Sequence, residues 1–214
     1  MRRSAEFCTG WTVVIPVKPA AQGKSRLTGA GDRVALARAI ALDTIEAACA
    51  VCAVIVVTAD SEVAAAARLL GAIVVEETAP AGLNAAIAAG VDAAGPGHRA
   101  AMLGDLPALR PADLADALRR AAAFERTVVA DAEGTGSTLV TARADVPWAA
   151  AFGDGSFARH LALGAVALDA APSLRRDVDT PDQLGAAALL GLGPRTAALV
   201  AIRHPAPHAP RLRP

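Results

Sequence analysis

The stretch Arg99-Ala100-Ala101-Met102-Leu103-Gly104-Asp105-Leu106-Pro107-Ala108-Leu109 decides the reading of the fold. It begins as a short apolar run suited to a buried strand and breaks at Gly104, which leaves Asp105 where the strand gives out. In open α/β sheets the carboxyl ends of the strands face the ligand crevice. A carboxylate at such an end, with no Lys or Arg beside it, is placed to hold a metal ion. Further on, Arg176-Asp177-Val178-Asp179-Thr180 supplies two carboxylates at i, i+2, which on an extended segment point to the same side. Asp105, Asp177 and Asp179, converging from two strand ends, predict a Mg²⁺ site for phosphate chemistry.

Outward from that strand the chain alternates β-branched runs with Ala-rich helical ones. Thr12–Val17, Ala53–Thr58 and Ala72–Glu76 read as strands before it, and Thr127–Asp131, Ala165–Leu168 and Leu174–Val178 as strands after it. Pro16 suits a strand end better than a central rung. Between them the pattern predicts helices over Asp32–Ala50 with Asp32 as N-cap, over 62–70 capped by Ser61 and ended by Gly71, over about 80–94, and from Pro111 to about Ala123. Thr180-Pro181-Asp182-Gln183 is a capping box with Pro at the first helical position, which fixes where the segment carrying Asp179 ends. The alternation predicts one α/β domain over 11–192, with flexible termini at 1–10 and 203–214. The C-terminal segment is Pro-rich, and a Pro between His204 and His208 rules out a helical metal pair there.

Composition narrows the function classes. The chain has 214 residues, 54% of them hydrophobic, yet no apolar run approaches the roughly 18 residues of a membrane span. Met1-Arg2-Arg3 is not followed by an apolar signal region, so the expectation is a soluble cytoplasmic protein with no membrane partner. Zero net charge argues against a general nucleic-acid surface, and 3% aromatics without Tyr argues against base-stacking platforms. Three Cys cannot form a disulfide framework. Cys49 and Cys52 form C-x-x-C, but no helix follows them to activate a thiolate, so they are expected to be packing residues.

Four loops carry the remaining chemistry. Lys18-Pro19-Ala20-Ala21-Gln22-Gly23-Lys24-Ser25-Arg26 lacks the glycines of a dinucleotide fingerprint, and the first glycine of a P-loop would fall at Lys18. It does hold both lysines of the chain, with Arg26 beside them, and clustered cations after a first strand suit a triphosphate. Gly82 would let backbone approach a ligand closely, and Asn84, the single asparagine, reads either as a helix cap or as a group near a nucleotide base. Asp131-Ala132-Glu133-Gly134-Thr135-Gly136-Ser137-Thr138 is rich in hydroxyl and backbone donors, as turns also are. Phe152-Gly153-Asp154-Gly155-Ser156 leads into a helix that would place Ser156 at an N-terminus, a natural place for an anion. Asp154 brings a negative charge into that loop and must face away from an anion or toward a metal.

Taken in order, W-T-V-V-I-P-V-K-P with G-K-S-R-L, G-D-L-P-A-L, E-G-T-G-S-T, F-G-D-G-S-F-A-R-H and D-V-D-T-P-D-Q-L resemble the guanylyltransferases of coenzyme F-420 biosynthesis. That family comprises the phosphoenolpyruvate and 2-phospho-L-lactate guanylyltransferases, and the resemblance spans about 12–190. It implies a compact nucleotidyltransferase of the glycosyltransferase-A type, with a mixed, mostly parallel sheet between helices. By position it implies Asp105, Asp177 and Asp179 as Mg²⁺ ligands, and Thr138, Gly153 and Ser156 as the site for the acceptor's phosphate and carboxylate. Lys18, Lys24, Ser25 and Arg26, with Gly82, Asn84 and Ala85, would face GTP, and Lys24 would act in catalysis. The Asp154 charge departs from the family's acceptor loop. The residues also leave open the same chemistry on another phosphorylated acceptor, and a non-catalytic nucleotide-binding protein; the oligomeric state, a homo-oligomer included, is open too. Pyrophosphate release separates enzyme from binder, and an acceptor screen separates the two enzymes.

Overall fold

The computed structural model describes residues 8, 10–19, 33–77 and 82–203. Lys24, Ser25, Arg26, the Asp32 cap and the histidines of the C-terminal segment lie outside the described residues. Seven strands form one sheet: β1 Trp11–Val17, β2 Ala53–Thr58, β3 Ile73–Glu76, β4 His98–Met102, β5 Arg126–Ala130, β6 Ser137–Ala142 and β7 Val166–Ala167. Their spatial order is β3-β2-β1-β4-β6-β5-β7. Only β6 runs against its neighbours, so the sheet is mixed and mostly parallel, as expected.

The helices are α1 Arg33–Cys49, α2 Ser61–Leu69, α3 Leu83–Ala93, α4 Pro111–Ala121, α5 Ser156–Ala162, α6 Pro172–Arg175, α7 Pro181–Leu190 and α8 Pro194–Arg203. Period-2 alternation divides the strands between two layers. Val13 and Ile15 join Ile45, Val63 and Leu114 on one face, while Val14 joins Ala86, Ile87 and Phe152 on the other. A third cluster, Leu36, Ile40, Ala108, Val178 and Ala187, binds α7 to α1. Gly90 lets α3 lie directly on the sheet, since a Cβ there would meet Val14 Cγ1 at 2.3 Å.

Three local readings are corrected by the packing, and one further helix is added to them. Asp60, not Ser61, caps α2, its carboxylate accepting from Glu62 N and Val63 N. Leu174–Val178 is not a strand: Pro172 at its head starts the short helix α6, and an irregular extended segment follows. β6 occupies the end of the polar 131–138 loop and beyond, because six consecutive buried residues fill the gap between β4 and β5. Beyond residue 192, α8 packs on α1, where the buried Asp43 carboxylate accepts from Arg195 N at 3.1 Å and Thr196 N at 2.8 Å. Pro16 lies past the last β1–β4 pair, so its missing N–H costs no bond on that side. Burial pushes the Cys49 thiol up to about 11 and the Cys52 thiol up to about 12, as packing residues require. Among the described residues no single helix is long and apolar enough to cross a membrane.

Candidate active site

The strand order reverses direction at β1, which neighbours both β2 and β4, and the carboxyl ends of β1 and β4 open there onto a cleft of about 410 Å³. Val17 and Lys18 enter the cleft from β1, Gly104 and Asp105 from the end of β4, and Ala37, Ile40 and Ala41 from α1. Gly153, Asp154, Asp177 and Asp179 line it as well.

The carboxylates meet because two local structures hold their backbones. Thr44, buried in α1, donates its hydroxyl to Ile40 O and accepts from Leu106 N at 3.1 Å, which pins the turn carrying Asp105. Val178 N donates to Asp105 O at 3.1 Å while its side chain enters the third core cluster. Alternation about the buried Val178 then turns Asp177 and Asp179 the other way, toward Asp105. The expected same-side geometry therefore holds, from one strand end and one extended loop rather than from two strand ends. The Thr180–Gln183 capping box closes the segment, with Gln183 Oε1 accepting from Asp179 N at 2.8 Å.

Ligand oxygens of Asp105, Asp177 and Asp179 lie within 4.8 Å of one another. Burial, with the Asp105 charge adding to it, pushes the Asp177 carboxyl up to about 7. Among the described residues Asp177 Oδ1, which is buried, has no hydrogen-bond partner. Three oxygen donors so crowded, one of them buried and unsatisfied, fit a hard divalent cation, which would remove the mutual repulsion.

The Gly153 wall is held from two helices. Asn84 of α3 grips Phe152 twice, Nδ2 donating to Phe152 O at 3.1 Å and Oδ1 accepting from Phe152 N at 2.9 Å. Its amide is thus committed to the loop, and the N-cap of α3 is Gly82, with φ of 96°. Ala85 sits exposed in the first turn of α3. From α5, Arg159 donates to the carbonyls of Ala151 and Asp154. Ser156 does begin α5, yet it is buried, and its hydroxyl donates to Ser137 Oγ at 3.2 Å. The first N–H groups of α5 are also committed, Ser156 N to Gly153 O and Phe157 N to Thr135 O. In the 131–136 turn the N–H groups of Thr135 and Gly136 serve the Asp131 carboxylate, so that loop folds upon itself. Thr138 Oγ1 is different, being buried without a hydrogen-bond partner among the described residues.

Asp105, Asp177, Asp179, Lys18 and Gly153 therefore share one cleft, and Ser156 and Thr138 lie next to its lining, Ser156 N donating to Gly153 O and Thr138 O accepting from Leu103 N. Sequence reasoning passed over Thr44, Ser137 and His160. The last two join Ser156 in a buried cluster, and the i, i+4 spacing of Ser156 and His160 on one helix was the available signal.

Residues 11–198 match the family described as guanylyl transferase CofC like. A phosphoenolpyruvate guanylyltransferase of Thermomonospora curvata is 51% identical over 202 residues, covering 89% of each chain. Among solved structures, one from Desulfovibrio desulfuricans, provisionally named a nucleotide-diphospho-sugar transferase, superposes with a TM-score of 0.67 at 14% identity, over 91% of this chain and 95% of that one. A Mycobacterium tuberculosis protein solved in complex with manganese gives a TM-score of 0.54 at 25% identity, over 86% of this chain and 98% of that one.

Proposed function

This chain belongs to the CofC-like guanylyl transferase family, and from that premise we propose that it transfers GMP from GTP to the phosphate of phosphoenolpyruvate. The products are enolpyruvyl-diphospho-guanosine and pyrophosphate, an intermediate step of coenzyme F-420 biosynthesis in the cytoplasm. The observation that carries the reading is the Asp105–Asp177–Asp179 cluster in a cleft that Lys18 also lines, three carboxylates for a metal and a cation for phosphate. The acceptor is supported by the 51% identical relative, which is named for phosphoenolpyruvate.

Asp105, Asp177 and Asp179 would hold Mg²⁺, which neutralises charge on the α-phosphate and on departing pyrophosphate. Lys18, with Lys24, Ser25 and Arg26 of the same loop, takes the triphosphate, and Gly82 to Ala85 border the nucleoside. Thr138, whose buried hydroxyl has no hydrogen-bond partner among the described residues, takes the acceptor with Gly153 and Ser156. The acceptor's phosphate has a second pKa of about 6, so it is a nucleophile at neutral pH and needs no general base. Its oxygen bonds to the α-phosphorus as the bond to the β-phosphate oxygen breaks, and the protein's contribution is in-line placement.

The same residues would accept 2-phospho-L-lactate, which differs at one tetrahedral carbon, a difference worth at most a few kcal/mol. Mass spectrometry of products from GTP, CTP or UTP with each acid tests the assignment. Product only from 2-phospho-L-lactate, or only with CTP or UTP, overturns it.

A further inference from the structure

We propose that His160 is a positioning residue that sets the hydrogen-bond polarity of the acceptor subsite, a role that rests on the acceptor reading of Thr138, Gly153 and Ser156 given above. The ring is 1% exposed and packs edge-on against Phe152, with centroids 5.0 Å apart. Ala151 N lies 2.8 Å from Nε2. A backbone N–H can only donate, so Nε2 is an acceptor and a neutral ring must carry its proton on Nδ1. Burial lowers the imidazole to about 4, which keeps the ring neutral at pH 7.

Nδ1 is 3.0 Å from Ser137 Oγ, and Ser137 Oγ is 3.2 Å from Ser156 Oγ. Three donor protons, on His160 Nδ1, Ser137 Oγ and Ser156 Oγ, thus serve two links. Whichever hydroxyl closes the serine pair, the other keeps a proton with no acceptor among these groups. With the proton on Nε2 instead, Ser137 would donate to the ring and Ser156 to Ser137, leaving neither hydroxyl spare, but Nε2–H and Ala151 N–H would then face each other with no acceptor between them. The tautomer imposed by Ala151 N–H therefore creates a spare buried donor beside the loop that carries Gly153. Ser137, Ser156 and His160 are each at most 3% exposed, so an unused donor there is costly unless a ligand accepts from it. An anion with several acceptor oxygens, a phosphate or a carboxylate, meets that need. His160 also ties Ala151, two residues before Gly153, so one ring fixes both the donor and the wall.

The test has a spectroscopic and a kinetic arm, both on the full chain. In ¹⁵N-histidine-labelled protein at pH 7, the His160 signals, assigned by their loss in His160→Gln, are expected to show a protonated Nδ1 and a bare Nε2. With GTP, Mg²⁺ and phosphoenolpyruvate, His160→Gln and Ser137→Ala are each expected to raise the KM for the acceptor about tenfold, the scale of one lost hydrogen bond. The KM for GTP stays within about twofold. His160→Asn, whose shorter side chain places its amide N–H where Nδ1 stands facing Ser137, recovers part of the loss that the longer Gln does not. An Nε2-protonated ring overturns the proposal, as do parallel rises in both KM values, or a lowered melting temperature with both KM values unchanged. If His160→Gln does not fold, assignment and kinetics pass to Ser137→Ala, which leaves the ring and its packing in place. A wild-type protein that turns over neither three-carbon acid overturns the acceptor reading and this inference with it. Wild-type turnover with unshifted KM in the variants overturns this inference alone.

Discussion

Replacing Asp177 by Asn should stabilise the metal-free protein while abolishing turnover. The carboxyl of Asp177 is moved from 3.8 to about 7, first by burial and then by the Asp105 charge. An acid whose folded pKa lies above its unfolded one holds its proton longer in the folded chain. It therefore lowers stability progressively as pH rises from about 4 to about 7, and the loss is complete above that. A displacement of about 3 units corresponds to about 4 kcal/mol, at about 1.4 kcal/mol per unit. The side chain keeps some access to water, which reduces the expected effect to about 2 kcal/mol. For a chain of this length that is a rise of roughly 4–8 °C in melting temperature at pH 8. The assay is thermal and urea unfolding in chelator at pH 5 and pH 8, then again with Mg²⁺. Wild type should lose stability between the two pH values and the variant much less. Mg²⁺ at a hundredfold excess over its Kd should return about 2.7 kcal/mol to wild type and little to the variant. A variant that is less stable than wild type at pH 8 in chelator, or one whose pH dependence matches wild type, would refute the crowding of negative charge at this site.

Lys24→Ala is expected to raise the KM for GTP at least tenfold with a melting temperature within about 2 °C, because a single lysine charge ordinarily contributes little to folding; unchanged nucleotide kinetics would remove Lys24 from the site. Gly90→Val should unfold at lower urea by about 1–3 kcal/mol or more, since its Cβ would lie 2.3 Å from Val14 Cγ1 and 2.9 Å from Val57 Cγ2 in a close-packed layer, and an unchanged midpoint would show that α3 does not sit on the sheet as described.

The three-carboxylate cluster was legible in the chain because its signals are local. Gly104 ends a strand at Asp105 whatever surrounds it, Thr180-Pro181-Asp182-Gln183 starts a helix on its own chemistry, and period-2 alternation about Val178 turns Asp177 and Asp179 to one side. The α/β class followed in the same way from β-branched runs between capped helices. The rest depended on partners distant in sequence. Leu174–Val178 reads as a strand by residue type, but it pairs with no strand of the sheet, and Pro172 with the packing of Leu174 makes it a short helix and an extended loop. β6 begins inside a turn-like Gly/Ser/Thr run and becomes a strand because it pairs on both sides, with β4 and with β5. Asn84 could have read a base or capped a helix; Phe152, 68 residues away, occupies its amide instead. His160 looked like one more residue of a short helix until Ser137 and Ala151 met its two nitrogens. Local backbone chemistry is written along the chain, whereas the partner of a buried polar group is chosen only when the sheet brings distant segments within hydrogen-bond reach.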